Sequence, residues 1–529
     1  MLPNSVALRY DEESIDSIFD ALNRCQRPGV AVGIGVNGRP VYRKGFGLAN
    51  LESPAILTPA TRMRLQSTTK HFTCLAYMLL CEKGMADLDY PVRKYLPELH
   101  PITHPITMRQ LMGHVSGIRD SHDIRYQFSG TGQEVATDGL VSLYQTLDDV
   151  NFAPGTGWCY CNGGYGILSV VIERIMNAPL EEVLQRQIFD PVGMYDTVLR
   201  RYDSDFLEGA ATNHMQVADG SYRRPPAVGA LAGNGGLVST VNDMLRWLAH
   251  MDAPVVGSPA TWELMKRSQV LANGTSTGYG LGLIIGRYRG VLTLSHPGGT
   301  LGGNSQMLKV PEAGLDVLIM SNRDDLSCEA LACRVLDACL TELEPVKGRY
   351  KGPGITGVFR SSKSARVVEL FPSNGLQFAT LDGSQITLEQ GQGGELQVSS
   401  SSGLIKQSLQ LIGQIAGPDR VLLNDFGNIE DFDRVPRPGG DESGEITGTY
   451  VSDSSQTQAL IRTSKSGVQL TTTGAFGSAE YRLECIGHHT WRARADSGPF
   501  GGILSFSTDR SGFLFSSRGT RGLPFKRRQ

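Results

Sequence analysis

The sequence has no long apolar run and little excess of charge of either sign. None of its apolar stretches reaches the roughly 18 residues of a membrane-spanning helix. Acidic and basic residues nearly balance, with a formal net charge of -3, and the one basic run is the short tail at 526–528. We therefore expect neither a nucleic acid nor an anionic membrane surface as a partner.

The beginning of the chain also lacks the basic and then apolar residues of a secretory signal, and it has acidic residues at 11–16 instead. Nine cysteines are an odd number, and no Cys-x-x-Cys pair is matched by a second one, so we expect no metal site and no cofactor. We interpret the cysteines in apolar segments as reduced core residues and expect a cytoplasmic protein. They are Cys74, Cys81, Cys328, Cys333 and Cys339.

A length of 529 residues predicts two or three domains. Residues 1–344 alternate strand-like and helix-like segments, and Asn37-Gly38 inside an apolar run predicts a hairpin at 30–44. Apolar residues at helical spacing predict helices at 69–83, 166–176, 180–188, 240–250 and 328–343. Strands are predicted at 291–295, 305–310 and 315–321. We expect an α+β domain in which helices flank an antiparallel sheet.

After Pro345 helical periodicity ends, and short alternating runs rich in Gly, Ser, Thr and Gln follow. A weak repeat joins 355–359 to 446–450, and each copy leads to a later phenylalanine, Phe432 or Phe525, at a nearly equal offset. The repeat predicts two tandem antiparallel β-barrels of residues 345–437 and 438–529, joined by a Pro/Gly linker.

Ser67 and Lys70 stand at the start of the helix predicted at 69–83. Residues three apart share a helix face, which places the Lys70 amine beside the Ser67 hydroxyl. The free N–H groups and positive dipole of a helix N-terminus favour an oxyanion, and a buried lysine that loses its proton is a base. S-x-x-K also occurs by chance about once or twice in such a chain, so an N-cap serine and a surface lysine stay open as the alternative.

Tyr160 and Asn162 lie between a Pro/Gly turn and the helix predicted at 166–176, so we expect both on a loop. A loop tyrosine beside an ammonium group is a candidate proton shuttle, and the asparagine is a candidate for holding a substrate carbonyl. A packed aromatic ring and a turn asparagine are the alternative.

His296-Pro297-Gly298-Gly299 ends the strand predicted at 291–295. Glycine there lets a substrate backbone approach closely, and the Gly299 N–H is a candidate oxyanion donor beside the N–H of Ser67. A strand end followed by a glycine-rich turn is the alternative.

The three motifs, in this order, resemble those of the penicillin-recognising serine enzymes, which include the S-x-x-K, S-D-N and K-T-G patterns. Segments 106–117 and 190–194 also resemble family segments, so the resemblance to class C β-lactamase-like enzymes covers about residues 20–340. It implies a serine hydrolase in which Ser67 forms an acyl-enzyme and Lys70 and Tyr160 move protons. It also implies that Asn162 and His296 shape the site.

Within that family the chain resembles most the D-stereospecific aminopeptidases, in segments 57–63, 72–74, 152–156 and 160–163. Those enzymes also carry two eight-stranded β-barrels after the catalytic domain. The resemblance implies hydrolysis of small peptides, amides or esters at an N-terminal D-residue such as D-alanine. Carboxypeptidases and β-lactamases of the group have a lysine and a hydroxyl residue in the third motif, which bind the substrate carboxylate. This chain has His296 and Pro297 instead, and proline has no N–H to donate. The replacement favours a substrate that is recognised by its free amine.

In these relatives a loop of the last barrel reaches the catalytic cleft. The matching stretch here is 494–502, which is shorter, and Asp496 in it is our candidate for binding the substrate ammonium. A solvated hairpin turn is the alternative.

Two other functions stay open. One is a β-lactamase-like esterase without an aminopeptidase role, and the other is a non-catalytic binding protein whose barrels hold a ligand or partner. The sequence leaves the oligomeric state open, a homodimer included.

Overall fold

The computed structural model describes an α/β part followed by two β-barrels. The described residues are 6–24, 26–131, 135–227, 229–346, 350, 352–381, 384–391, 395–398, 407–414, 417–436, 440, 442–465, 467–495 and 501–528. Among them, none of the helices combines the length and the apolar character needed to cross a membrane.

A six-stranded antiparallel sheet forms the centre of the first part, in the order β10-β11-β12-β13-β1-β2. The strands of this part are β1 (Val30–Val36), β2 (Arg39–Phe46), β3 (Leu48–Asn50), β4 (Ala55–Ile56), β5 (Met63–Arg64), β6 (Val198–Leu199), β7 (Met215–Gln216), β8 (Tyr222–Arg223), β9 (Leu237–Ser239), β10 (Ile284–Tyr288), β11 (Val291–Thr300), β12 (Gly303–Val310) and β13 (Leu315–Ser321). The hairpin predicted at 30–44 is β1–β2, and Asn37 and Gly38 at its turn have φ of 49° and 74°. These two residue types adopt such angles at little cost.

Helices cover both faces of the sheet. The helices of the α/β part are α1 (Glu12–Phe19), α2 (Lys70–Glu82), α3 (Met108–Met112), α4 (Ser121–Ser129), α5 (Thr137–Ser142), α6 (Asn162–Met176), α7 (Leu180–Leu184), α8 (Asp190–Val192), α9 (Val241–His250), α10 (Pro259–Met265) and α11 (Cys328–Cys339). α1 and α11 pack on one face and α9 on the other. A Cβ on Gly33 of β1 would lie 2.6 Å from Val241 Cγ1, so glycine permits the close approach of α9. The α+β class expected from the sequence is confirmed.

Two closed eight-stranded antiparallel barrels follow, as the sequence repeat predicts. The first barrel consists of β14 (Gly357–Arg360), β15 (Val367–Ser373), β16 (Leu376–Leu381), β17 (Ser384–Gln390), β18 (Leu396–Val398), β19 (Gln407–Gln414), β20 (Gly417–Asp425) and β21 (Asn428–Arg434). The second consists of β22 (Gly448–Ser452), β23 (Thr457–Ser464), β24 (Gly467–Gly474), β25 (Gly477–Gly487), β26 (Thr490–Arg494), β27 (Gly501–Phe506), β28 (Gly512–Ser516) and β29 (Leu523–Arg527). The repeated residues lie at the first strand of each barrel, and Phe432 and Phe525 lie in its last strand. The side chains of Ile355, Phe359, Ile446 and Tyr450 and of the two phenylalanines are buried. The domain boundaries at 344 and 437 stay a prediction.

The second barrel shares a hydrophobic core with the α/β part, whereas the first barrel has a core of its own. Helix α4 packs against β24 and β25. Its Phe128 ring lies 4.9 Å from the Phe515 ring and 5.4 Å from the Phe525 ring, and the Tyr481 hydroxyl donates to the Gln127 carbonyl at 2.8 Å. The second barrel is therefore fixed against the helix that begins beside the candidate site.

Substitution of Phe128 by alanine should lower the free energy of unfolding by about 3–5 kcal/mol, because it leaves a cavity at this contact. The Phe128 ring is 2% exposed, whereas the Phe206 side chain is fully exposed. Phe206→Ala is therefore the matched control and should change stability by no more than about 0.5 kcal/mol. Urea denaturation followed by tryptophan fluorescence measures both, and equal midpoints for the two variants would contradict the proposed importance of this contact.

Candidate active site

Ser67 lies in a single 3₁₀ turn, Gln66–Thr69, that leads directly into α2. Gln66 has a φ of +47°, in the left-handed region where a residue other than glycine is strained by about 1–3 kcal/mol. The Thr68 hydroxyl donates to the His296 carbonyl of β11 at 3.0 Å, which ties this turn to the sheet. Ser67 itself is half-buried, so its hydroxyl is held in place and yet reachable.

Lys70 is fully buried, and its ammonium group donates three hydrogen bonds. The acceptors are Ser67 Oγ at 3.1 Å, Asn162 Oδ1 at 2.8 Å and the Asn234 carbonyl oxygen at 2.6 Å. Burial lowers the pKa of Lys70 to about 7, and the negative charge of Asp120 opposes that effect. A large fraction of Lys70 is therefore neutral near pH 7, with its nitrogen beside the serine hydroxyl.

Asn162 is the first residue of α6, so the expectation that it lies on a loop is wrong. Asp120 accepts the backbone N–H of Asn162 at 3.1 Å and that of Gly163 at 2.9 Å, and Cys161 Sγ accepts the N–H of Gly164 at 3.4 Å. These acceptors let the helix begin four residues earlier than its apolar pattern indicates. Asp120 also accepts from Asn162 Nδ2 at 3.4 Å, which turns the amide oxygen towards Lys70.

Tyr160 lies on the loop before α6, and the Lys70 nitrogen is 4.7 Å from the centre of its ring. Its phenol oxygen is buried and makes no hydrogen bond within the ranges that the structure describes. Burial raises the pKa of Tyr160, and the neighbouring Ser67 side chain and the charge of Arg518 oppose this. The phenol is thus protonated at neutral pH and has a free donor facing the serine and lysine.

His296 and Pro297 lie inside β11, which continues to Thr300 and pairs with β12, so the strand does not end at this motif as expected. His296 Nδ1 donates to the Pro297 carbonyl at 2.7 Å, and His296 Nε2 accepts from the Tyr279 hydroxyl at 2.9 Å. Burial and the charge of Lys70 lower the pKa of His296 to about 3. The imidazole is therefore neutral, and both of its nitrogens are engaged inside the protein.

The two glycines that follow have different surroundings. A Cβ on Gly298 would lie 2.2 Å from the Leu65 carbonyl oxygen and 2.4 Å from Ser305 Oγ. Only glycine therefore lets β11 pack against the turn that carries Ser67. A Cβ on Gly299 would meet nothing within 4 Å, so the strand is open on that side and leaves room for a substrate next to the Gly299 backbone.

Asp496 lies outside the described residues. A different segment of the second barrel, the turn between β28 and β29, contacts this region. The Asp120 N–H donates to the Gly519 carbonyl at 3.1 Å, Ser517 Oγ donates to Asp123, and Cys159 Sγ donates to the Arg518 carbonyl at 3.6 Å. Nothing in the sequence around residues 517–520 marks it for this place, because it has neither a motif nor unusual composition.

Sequence reasoning also missed four residues that support the site: Asp120, His114, Asn234 and Tyr279. His114 Nδ1 accepts the Cys161 N–H at 3.1 Å, and its ring lies 4.3 Å from the Tyr160 ring. Burial keeps the pKa of His114 well below its usual value. Of the four, only His114 falls in a segment, 106–117, whose family resemblance was a signal.

One group of metal-ligating side chains occurs among the described residues, near the base of the second barrel. Ligand atoms of Glu442, His488 and His489 lie within 4.8 Å of one another. The Arg510 guanidinium donates to Glu442 at 3.1 Å, and its positive charge disfavours a cation there. The group is far along the chain from Ser67, and its hydrogen bonds in the described ranges are with the second barrel and Pro436.

Comparison with known proteins finds similar sequences and similar folds. A D-aminopeptidase of Brucella canis is 25% identical over 472 residues, which cover 88% of this chain and 87% of that protein. The octameric penicillin-binding protein homologue from Pyrococcus abyssi superposes with a TM-score of 0.57 at 22% identity and covers 80% of this chain and 100% of its own. The D-amino acid amidase from Ochrobactrum anthropi SV3, in complex with L-phenylalanine amide, superposes with a TM-score of 0.53 at 24% identity, over 62% and 97% of the two chains.

The structural likenesses concern the fold, since both identities are below 25%. The family comparison reaches further, because residues 15–339, more than half of the chain, match the family described as Beta-lactamase. These residues include Ser67, Lys70, Tyr160, Asn162 and His296. The chain belongs to the beta-lactamase family.

Proposed function

We propose that this chain is a D-stereospecific aminopeptidase, a serine hydrolase that removes N-terminal D-residues from small peptides, amides or esters. The observation that carries the proposal is the buried Lys70 amine, held between Ser67 Oγ and Asn162 Oδ1 with a pKa of about 7. A nucleophile beside a base whose pKa is near neutrality is typical of covalent catalysis. The D-aminopeptidase relatives, similar over most of this chain, support the direction of the substrate.

In the proposed acylation step neutral Lys70 takes the proton of Ser67 while Ser67 Oγ attacks the substrate carbonyl carbon. The backbone N–H groups of Ser67 and Gly299 stabilise the oxyanion. The intermediate collapses as the C–N bond breaks, and the leaving amine receives a proton through Tyr160, which Lys70 restores. Attack of water on the acyl-serine ester then releases the D-amino acid and returns the proton to Ser67.

Asn162 accepts from the same Lys70 nitrogen as Ser67, and we assign it a second role, which is to hold the substrate carbonyl. The neutral His296 offers no positive charge to a substrate carboxylate at the third motif, and Pro297 offers no donor. This part of the cleft therefore gives a carboxylate little advantage, which supports recognition of the substrate through its amine.

The first test concerns stereospecificity. The wild-type protein should release p-nitroaniline from D-alanine p-nitroanilide at least 100-fold faster than from the L-isomer (on the order of 2.7 kcal/mol). Ser67→Ala should abolish turnover because no acyl-enzyme forms. Equal rates on the two isomers would contradict D-specificity, and equal rates on N-acetyl-D-alanine p-nitroanilide would favour an esterase-like hydrolase that does not read the amine.

The second test is the dependence of the acylation rate on pH. Since burial holds the pKa of Lys70 at about 7, protonation below that pH removes the base. We expect kcat/KM to fall tenfold per pH unit below about pH 7 and to level off above it. Stopped-flow acylation by a D-aminoacyl ester measures this profile, with circular dichroism at each pH as a control for folding. A flat profile from pH 5 to 8 would exclude Lys70 as the base.

The third test is Tyr160→Phe. Loss of a proton shuttle typically costs 10²–10⁴-fold in rate, and we expect kcat to fall in this range. The phenol oxygen makes no hydrogen bond to the described residues, so the melting temperature should stay within about 2 °C of wild type. Tyr481→Phe is the control with the opposite expectation. It removes a buried hydroxyl that donates to the Gln127 carbonyl where the second barrel contacts α4. It should lower stability without changing kcat, and a Tyr160→Phe variant with full activity would remove Tyr160 from the mechanism.

A further inference from the structure

The turn between β28 and β29 brings a charged side chain of the second barrel to the candidate active site. Its backbone is held against the α/β part by the Gly519 carbonyl, which accepts the Asp120 N–H at 3.1 Å and Asn151 Nδ2 at 3.0 Å. A Cβ on Gly519 would lie 2.8 Å from Asp120 Cβ, so the turn packs directly on the residue that orients Asn162. The Ser517 N–H donates to the Thr520 carbonyl at 2.7 Å and closes the turn. The turn is thus fixed at both of its ends.

Arg518 lies at the tip of this turn. Its carbonyl accepts from Cys159 Sγ at 3.6 Å, and Cys159 directly precedes Tyr160. Arg518 is exposed, whereas the neighbouring residues Ser517, Gly519 and Thr520 are buried. In the part of the chain that the structure describes, the guanidinium makes neither a hydrogen bond nor an ion pair. A fixed backbone therefore presents a cation that has no described partner.

The charge of the Arg518 guanidinium affects the pKa values of the two proton-transfer residues, Lys70 and Tyr160. Its positive charge lowers the pKa of Lys70 and that of Tyr160, so it lies within electrostatic range of both. The carboxylate in the same region, Asp120, is buried and already accepts hydrogen bonds from the backbone of His122, Asn162 and Gly163. Asp120 is directed at the start of α6, and the second carboxylate of this side, Asp123, accepts from Ser517 Oγ, so both acidic groups are engaged inside the protein.

We propose that Arg518 binds a carboxylate group of the substrate and makes this enzyme selective for acidic substrates. A guanidinium presents a planar fork of donors that matches a carboxylate, and such charge-assisted hydrogen bonds are stronger than neutral ones. The inference rests on the proposed function, because it concerns the same cleft and the same acyl-enzyme. It adds a second recognition element: the third motif offers a carboxylate nothing, and the barrel turn supplies the anion site instead.

Two parts of a substrate supply this chemistry. One is the C-terminal carboxylate of a D-aminoacyl dipeptide, which departs with the leaving group. The other is the side chain of an N-terminal D-aspartyl or D-glutamyl residue, which stays on the acyl-enzyme. Two substrate pairs separate these sources: D-Ala-Gly against D-Ala-Gly amide, and D-glutamic acid α-amide against D-glutamine α-amide. Each pair differs by one carboxylate.

The experiment compares kcat/KM for these four substrates, and for D-alanine amide, in the wild type and in Arg518→Gln. The wild type should prefer the carboxylate member of one pair by at least tenfold, and that pair identifies the source. Arg518→Gln should reduce the preference to about twofold or less, chiefly through KM, because one charge-assisted contact is lost. The preference is a ratio of kcat/KM values within one pair, so a change of the Lys70 pKa in Arg518→Gln affects both members and cancels from the ratio. Arg518→Lys should keep part of the preference because it keeps the charge.

The matched control is Arg462→Gln, which removes an exposed arginine from β23 of the same barrel. It should leave every ratio unchanged, which separates binding at the cleft from the effect of net charge. A wild type without preference in both pairs overturns the inference, and so does an Arg518→Gln variant that loses all substrates equally. In both cases turnover of D-alanine amide by the wild type leaves the proposed function standing. A wild type that hydrolyses none of the D-substrates overturns the proposed function, and the inference with it.

Discussion

The burial of the Lys70 amine is the constraint on which the rest of the site depends. An ammonium group removed from water is costly unless it is neutralised or hydrogen-bonded, and here both occur. Its three acceptors come from separate parts of the chain, namely Ser67 before α2, Asn162 at the start of α6 and the carbonyl of Asn234. Lys70 is useful as a base only while these three segments stay together, so the fold and the chemistry are coupled through one nitrogen atom.

The structure around Lys70 includes a strained backbone conformation. Gln66 is held in a left-handed conformation directly before the serine, which requires a rigid neighbourhood. Gly298 in β11 contributes to this rigidity, because a residue without a side chain lets the strand pack directly against the Leu65 carbonyl. Asp120 fixes the helices next to the serine, because its carboxylate caps α4 and also accepts the first N–H groups of α6. Strand, turn and helices thus fix the serine, the lysine and the asparagine relative to one another.

Both barrels contact the loop that carries Tyr160, and neither is a distant appendage. In the first barrel Phe426 is buried against Trp158, with ring centres 5.2 Å apart, and Asn428 Nδ2 donates to the Thr156 carbonyl at 2.8 Å. The second barrel shares its core with the α/β part and supports the same loop through the carbonyl of Arg518. A loop held from two sides keeps Tyr160 in position, although its phenol makes no hydrogen bond to a described residue. The barrels therefore help to fix the wall of the cleft that carries Tyr160.

The sequence by itself determined the α+β class, the two tandem barrels and the spacing of Ser67 and Lys70, because these depend on local periodicity, on a repeat and on helix geometry. It placed Asn162 on a loop and ended β11 near Ser295, since the acceptors that start α6 and the strand that continues β11 come from residues far along the chain. For the same reason Asp120, Asn234 and Tyr279 had no local signal. The turn at Arg518 is the extreme case, with about 360 residues separating it from Cys159. Only tertiary packing decides which distant backbone groups meet at a buried amine, because a hydrogen bond depends on distance in space and leaves no periodicity in the chain.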